Sequence, residues 1–208
     1  MRILIADDHS LIREGLRKIL MEAMPLAEVQ DVADSADLFK KAISEKWDII
    51  ISDISMPGYS GIEILKQIKE HAPNTPVLML SMHTPEQYAV RAIKAGASGY
   101  LTKESAPYEL VKAVQQILSG RKYITSEVAE VLAGSLEQKD QRAPHEQLSD
   151  REFEVFKMIV MGKSISEIGE ILSLNVNTIS TYRARIMDKM KLHNNAELVK
   201  YAIQNNIV

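Results

Sequence analysis

Cysteine is absent from this 208-residue chain, which excludes disulfides, thiolate metal sites and cysteine nucleophiles together. The absence fits a reducing compartment. Long apolar runs are absent too: none approaches the roughly 18 residues that a bilayer crossing needs. The apolar stretch near the start, residues 3–6, runs straight into Asp7-Asp8 and is too short for a secretory leader. A cytoplasmic protein with no membrane partner is expected. A basic excess is lacking as well, since the net charge is −3. Residues 1–119 carry 13 basic and 16 acidic side chains, and residues 148–208 carry 8 and 7. Only residues 175–208, with 5 basic against 2 acidic, lean positive, a weak footprint for nucleic acid. What remains is ordinary for a globular chain, 46% hydrophobic and 25% charged.

The first 120 residues alternate between two patterns. Short runs rich in Ile and Val, at 2–6, 28–33, 48–52, 77–81 and 98–101, read as buried strands. Between them lie amphipathic segments such as Leu11, Leu16, Ile19 and Leu20, or Leu110, Val114 and Ile117. Five strands alternating with five helices imply an α/β, five-stranded, parallel, doubly wound sheet. A helix is expected at 126–136, within a linker at 121–147 whose polar, proline-containing stretch 137–147 has no apolar period. From Leu148 to 208 the pattern is helical throughout, giving an all-α, four-helix second domain.

In a parallel sheet, functional groups gather at the carboxyl ends of the strands. Here the first strand runs into Asp7-Asp8, the third into Asp53 and the fourth into Ser81, while Lys103 follows the fifth. Three carboxylates, a hydroxyl and an amine are therefore expected on one rim. Clustered carboxylates repel one another unless a cation neutralises them, and an oxygen-rich site of this kind suits Mg²⁺.

Five landmarks in order carry a resemblance to the bacterial receiver domain over residues 1 to about 120. They are Asp7-Asp8, the run Asp53-Ile54-Ser55-Met56-Pro57-Gly58, Ser81, the run Gly96-Ala97-Ser98-Gly99-Tyr100, and Lys103. The resemblance implies that Asp53 accepts a phosphoryl group from a sensor histidine kinase. It implies that Asp8, Asp53 and the backbone carbonyl of Ser55 bind Mg²⁺, with Asp7 acting directly or through water. Lys103 would neutralise charge on the phosphoryl oxygens and Ser81 would hydrogen-bond them. Tyr100 would then move inward as Ser81 moves. His9 is assigned no chemistry. Met82, where many receivers carry a smaller residue, is expected to narrow access for small phosphodonors. Glu104 follows the lysine, with proline delayed to Pro107, as in receivers joined to helix-turn-helix outputs.

The second domain opens with Ser149 and Glu152 in capping-box spacing, followed by Phe153, Phe156 and Ile159. Gly162 ends that helix, Ser164 caps the next, and Asn175 or Asn177 caps the third. Two short helices joined by a tight turn follow helix-turn-helix logic. The residues Leu148-Ser149-Asp150-Arg151-Glu152, Gly162, Glu167-Ile168, Thr178-Ile179, Ile186 and Lys189-Met190 resemble the LuxR-type domain of NarL/FixJ-like regulators. On a 100° wheel, Ile179, Ile186 and Met190 face the core, while Thr181, Ala184, Arg185 and Asp188 face away. Arg183 falls nearer the core. The resemblance places Ser180, Thr181 and Ala184 at base-reading positions and counts Thr178 with the DNA-facing set. Arg183, Arg185 and Lys189 are expected to hold phosphates.

Together these readings describe a transcriptional response regulator rather than an enzyme. Phosphorylation would control dimerisation and promoter binding, with double-stranded DNA, a second copy and RNA polymerase as partners. Two rivals stand beside it. An aspartyl-phosphate phosphatase resembling haloacid dehalogenases needs a second Asp two residues after the first, where this chain has Ser55. A regulator whose output is a protein partner would lack a steep salt dependence of DNA binding.

Overall fold

The computed structural model describes residues 1–56, 59–137, 143–205 and 207. They fall into two compact units, Met1–Ser135 and Leu136–Val208. Pro57 and Gly58 of the Asp53 motif, and residues 138–142 of the expected linker, lie outside the described residues.

In the first unit, β1 (Arg2–Ala6), β2 (Glu28–Val32), β3 (Ile49–Asp53), β4 (Val77–Ser81) and β5 (Gly99–Thr102) form one parallel sheet in the order β2-β1-β3-β4-β5. Every residue of β3 is buried, as a central strand covered on both faces requires. Edge strand β2 instead carries half-exposed Gln30 and Asp31, which keep the open edge polar. Helices α1 (Ser10–Ala23), α2 (Ser35–Ser44), α3 (Gly61–His71), α4 (Pro85–Lys94) and α5 (Ala106–Leu118) alternate with the strands.

The pleat sorts the strand residues onto two faces. Ile3, Ile5, Ile49, Ile51, Leu78, Leu80 and Leu101 pack with Leu16 and Leu20 of α1 and with Leu110, Val114 and Ile117 of α5. Each such side chain contributes about 1.5–3 kcal/mol by leaving water. Winding reverses between β1 and β3, since the chain goes from β1 to one neighbour and returns on the other side. The carboxyl ends at this reversal, where open α/β sheets place their ligands, carry Asp7, Asp8 and Asp53.

The expected linker is partly structured. Tyr123 donates its backbone N–H to Ser98 O at 2.8 Å and bridges Gly99, and its ring is buried in the α1/α5 core. A side chain at Gly99 would meet Tyr123 O at 2.9 Å, so glycine is what lets the returning chain lie against β5. Helix α6 (Ser126–Glu137) follows and falls almost wholly within the first unit, while a 3₁₀ turn, Pro144–Gln147, belongs to the second.

The second unit contains α7 (Asp150–Val160), α8 (Ile165–Leu172), α9 (Val176–Met190) and α10 (Asn195–Gln204). The helix starts are set locally. Ser149 with Glu152, and Ser164 with Glu167, form complete capping boxes, and Asn175 caps α9 through the Asn177 amide. Gly162 takes φ +83 just after α7. The α8–α9 turn closes with Leu174 N donating to Gly169 O at 2.8 Å. Ile168, Leu172, Ile179, Ile186, Met190, Leu198 and Ala202 are buried with Phe153 and Phe156.

Candidate functional site

Strand pairing builds the acidic rim. Asp53 pairs with Leu80, which puts Ser81 one residue beyond it on β4, and Ser81 pairs with Thr102. Lys103 continues that ladder, its N–H donating to Ser81 O at 2.7 Å. Its side chain thereby turns back over the strand ends. Lys103 Nζ lies 2.6 Å from Asp7 Oδ2 and 2.8 Å from Asp53 Oδ2. Asp7 and Asp53 are buried, and the Lys103 side chain is only 5% exposed.

One ammonium thus serves two buried carboxylates, with Asp8 beside them. Burial pushes the Asp53 carboxyl above the ordinary range; Lys103 opposes that shift, while repulsion from Asp7 adds to it. Burial works against the Lys103 ammonium, but Asp53 and Asp7 outweigh it and hold its pKa raised. Asp7 Oδ2 and Asp8 Oδ1 lie within ion-pair distance of Lys103 and His9 but receive no well-directed hydrogen bond, and Asp53 Oδ1 receives none either. Buried acceptors are rarely left this way, and three orphaned oxygens beside one another fit a divalent cation. Ligand atoms of Asp7, Asp8, His9 and Asp53 all lie within 4.8 Å of one another.

Three contributors escaped the sequence reading. His9, given no chemistry, sits on the rim with Nδ1 2.8 Å from Asp8 Oδ1. Arg13 of α1 donates to Asp7 O at 2.6 Å and to Asp31 Oδ2 at 3.0 Å, holding the end of β1. Gly61 begins α3 directly against the end of β3. A Cβ there would lie 2.7 Å from Asp53 O and from Ile54 Cα. A periodic apolar pattern gives none of these, because each depends on a contact between elements.

The Tyr100 ring is already fully buried, with its hydroxyl donating to His83 O at 2.8 Å. An inward swing is therefore not needed to bury it. Ser81 Oγ accepts from His83 N at 2.9 Å, so Ser81 and Tyr100 both hold the loop after β4. Met82, next in the chain after Ser81, is 70% exposed.

On α9, Ser180, Thr181, Ala184 and Arg185 are exposed and Thr178 is half-buried. The Thr181 hydroxyl donates to Asn177 O at 2.9 Å. Two of the expected phosphate holders are engaged within the unit. Arg183 Nε donates to Asn195 Oδ1 at 3.0 Å, and Lys189 Nζ lies 2.6 Å from Glu152 Oε2. Burial raises the Glu152 carboxyl, but Lys189 and the Ser149 amide and hydroxyl outweigh it and hold it below the ordinary range. Lys189 is thus first a strut between α9 and α7. Its side chain is 38% exposed, so the strut leaves it within reach of a DNA phosphate.

Two family models match this chain. One, the response regulator receiver domain, covers residues 3–115, and the other, the luxR family of bacterial regulatory proteins, covers residues 146–202. The chain belongs to the NarL/FixJ-like family of response regulators. Response regulator UvrY of Escherichia coli K12 is 34% identical over 99% of this chain and 94% of its own length. Among solved structures, RcsB of Salmonella enterica serovar Typhimurium, bound to promoter rprA in the presence of phosphomimetic BeF₃⁻, is 27% identical with a TM-score of 0.64. That match covers 97% of this chain and 98% of that one. A structure of two RcsB dimers on two parallel DNAs is 28% identical with a TM-score of 0.61, covering 98% of each chain. This response regulator therefore joins a receiver domain to a LuxR-type DNA-binding domain, and it acts in transcription regulation. Among the described residues, no helix is long and apolar enough to cross a membrane.

Proposed function

We propose that residues 1–120 are the receiver, 121–147 the connecting segment and 148–208 the effector of a cytoplasmic, phosphorylation-controlled transcription regulator that is not itself an enzyme. The observation that carries this is Asp53: buried at the end of β3, with one oxygen on Lys103 and the other unpartnered. An Asp53 oxygen attacks the phosphorus of a sensor kinase's phosphohistidine. The P–N bond breaks as the P–O bond forms, and the imidazole leaves with the electron pair and takes up a proton. Such a transfer needs positioning and charge neutralisation above all. Lys103 supplies one positive charge to the phosphoryl oxygens and Ser81 supplies a hydroxyl donor. Asp7, Asp8, Asp53 and the Ser55 carbonyl would hold Mg²⁺, which supplies further neutralisation of the phosphoryl oxygens when bound.

Phosphorylation draws Ser81 from the loop that Tyr100 also holds, and the altered surface favours a homodimer. The RcsB dimers on DNA support a homodimer as the DNA-bound form of the present chain. On duplex DNA, Thr178, Ser180, Thr181 and Ala184 face bases, and Arg185 holds phosphate. Arg183 and Lys189 contribute charge while bound to Asn195 and Glu152. RNA polymerase is the further partner at a promoter. The test is acid-labile phosphate transfer from a kinase, followed by DNA binding. Asp53→Asn should take no label and gain no affinity from the kinase, and full labelling of that variant would overturn the assignment.

A further inference from the structure

His9 is the one rim group to which the reading above gives no role. Its imidazole is directed into the acids although its side chain is 60% exposed. Nδ1 lies 2.8 Å from Asp8 Oδ1 and 3.2 Å from Asp7 Oδ1. The same Asp7 oxygen accepts the His9 backbone N–H at 2.9 Å, which folds the loop so that the His9 backbone stays beside the acids. One ligand atom each from Asp7, Asp8, His9 and Asp53 falls within a 4.8 Å span. An ion with bonds of about 2.0–2.2 Å separates opposite ligands by roughly 4.0–4.4 Å, so a contraction of a few tenths of an ångström closes the set. A second, independent observation points into the same space: Asp53 Oδ1, in a residue 1% exposed, has no partner.

We propose that His9 is a metal ligand through Nδ1, and that it tunes this site toward borderline divalent cations such as Mn²⁺ or Co²⁺ relative to Mg²⁺. Mg²⁺ is hard, takes oxygen and keeps its waters, whereas imidazole suits first-row transition ions. On loading, Nδ1 turns its lone pair to the ion and Nε2 carries the proton toward solvent. The exposed ring makes that tautomer exchange without burying a charge.

The proposal rests on the rim being the divalent-cation site, and the experiment separates the two. Mn²⁺ is titrated into the full chain and followed by electron paramagnetic resonance. Electron spin echo modulation of the bound ion then reads the coordinated nitrogen. The wild type should bind Mn²⁺ and show ¹⁴N modulation from imidazole, converted to the ¹⁵N pattern when histidine is ¹⁵N-labelled, which needs no variant. His9→Gln should lose the modulation. Its Mn²⁺ affinity should fall at least about tenfold, a loss that even an outer-shell partner can cause, while Mg²⁺ affinity changes far less. Mn²⁺ bound tightly without nitrogen modulation in wild type overturns the role of His9 and leaves the site standing. No Mn²⁺ or Mg²⁺ binding in wild type, or binding undiminished in Asp8→Ala, overturns the site itself and the role of His9 with it.

Discussion

Asp53→Asn should make the metal-free protein more stable. Most substitutions destabilise by about 1 kcal/mol, so the sign alone is diagnostic. In the folded chain Asp53 is 1% exposed, shares the Lys103 ammonium with Asp7, and leaves Oδ1 without a donor. An unsatisfied buried acceptor costs about 1–3 kcal/mol, and a charged one more. Asparagine keeps the volume, removes one of the clustered charges, and offers an N–H₂ to acids that lack well-directed donors. Lys103 keeps its 2.6 Å pairing with Asp7. The net gain should be about 1–2 kcal/mol, or roughly 3–8 °C for a unit of this size. Trp47, buried just ahead of β3, is the only tryptophan and reports the first unit by fluorescence. Mg²⁺ should narrow the gap: a ligand at one hundred times its Kd stabilises the native state by about 2.7 kcal/mol, and the variant, with one charge fewer, should gain less. An asparagine variant less stable than wild type in chelator, or equal stabilisation of both by Mg²⁺, would refute this reading of the rim.

Gly61→Ala should lower the melting midpoint by about 1–3 kcal/mol equivalent and slow phosphate uptake, because the new Cβ meets the backbone of Asp53 and Ile54 at 2.7 Å; unchanged labelling kinetics would argue against α3 positioning the acid. Glu152→Gln should keep the capping box but lose the pH-linked part of the Lys189 contact. The Glu152 pKa is lowered on folding, so its contribution is present above the unfolded carboxylate range and disappears as pH falls through the folded value; amide exchange of α7 across pH 3–7 should show the two proteins converging only at the acid end. Arg185→Ala should weaken binding to specific and random duplexes alike and reduce the salt slope by roughly one unit. Thr181→Ala should instead shift base preference by about 1–3 kcal/mol at one position, read by selection of binding sites.

The sheet and most helix starts were legible because each is written in local pattern. The β3 run and the Ser149/Glu152, Ser164/Glu167 and Asn175 caps need only nearest neighbours to be recognised. The rim acids and Lys103 were legible for a related reason: in a parallel sheet, strand ends converge whatever the loops do. The side chains that reach between elements were not legible. Lys189 is basic and lies on a flank of α9 on the wheel, which is compatible with a DNA phosphate contact. Only the packing of α9 on α7 brings Glu152 to 2.6 Å. His9 is polar and follows two acids, and nothing in its spacing reveals that its ring folds back onto them. The backbone bridge of Tyr123 to Gly99 was likewise not legible, since nothing in the stretch after α5 signals it.

On the function proposed above, a charge added at Asp53 would act at a distance through the strand ends. Asp53, Ser81 and Lys103 sit on three adjacent strand ends, so their backbones are fixed by the ladder and only side chains and the following loops can respond. Ser81 Oγ and the Tyr100 hydroxyl grip the same loop, one through His83 N and the other through His83 O. A phosphoryl group that recruits Ser81 breaks the first of these contacts while the second persists. Tyr100 also lies one residue from Gly99, where the connecting segment rejoins the sheet through Tyr123. The loop after β4 and the exit of the receiver are thus joined through a single strand. On the function proposed above, release of one hydrogen bond at the rim would bias both, as a two-state element under control by phosphorylation must.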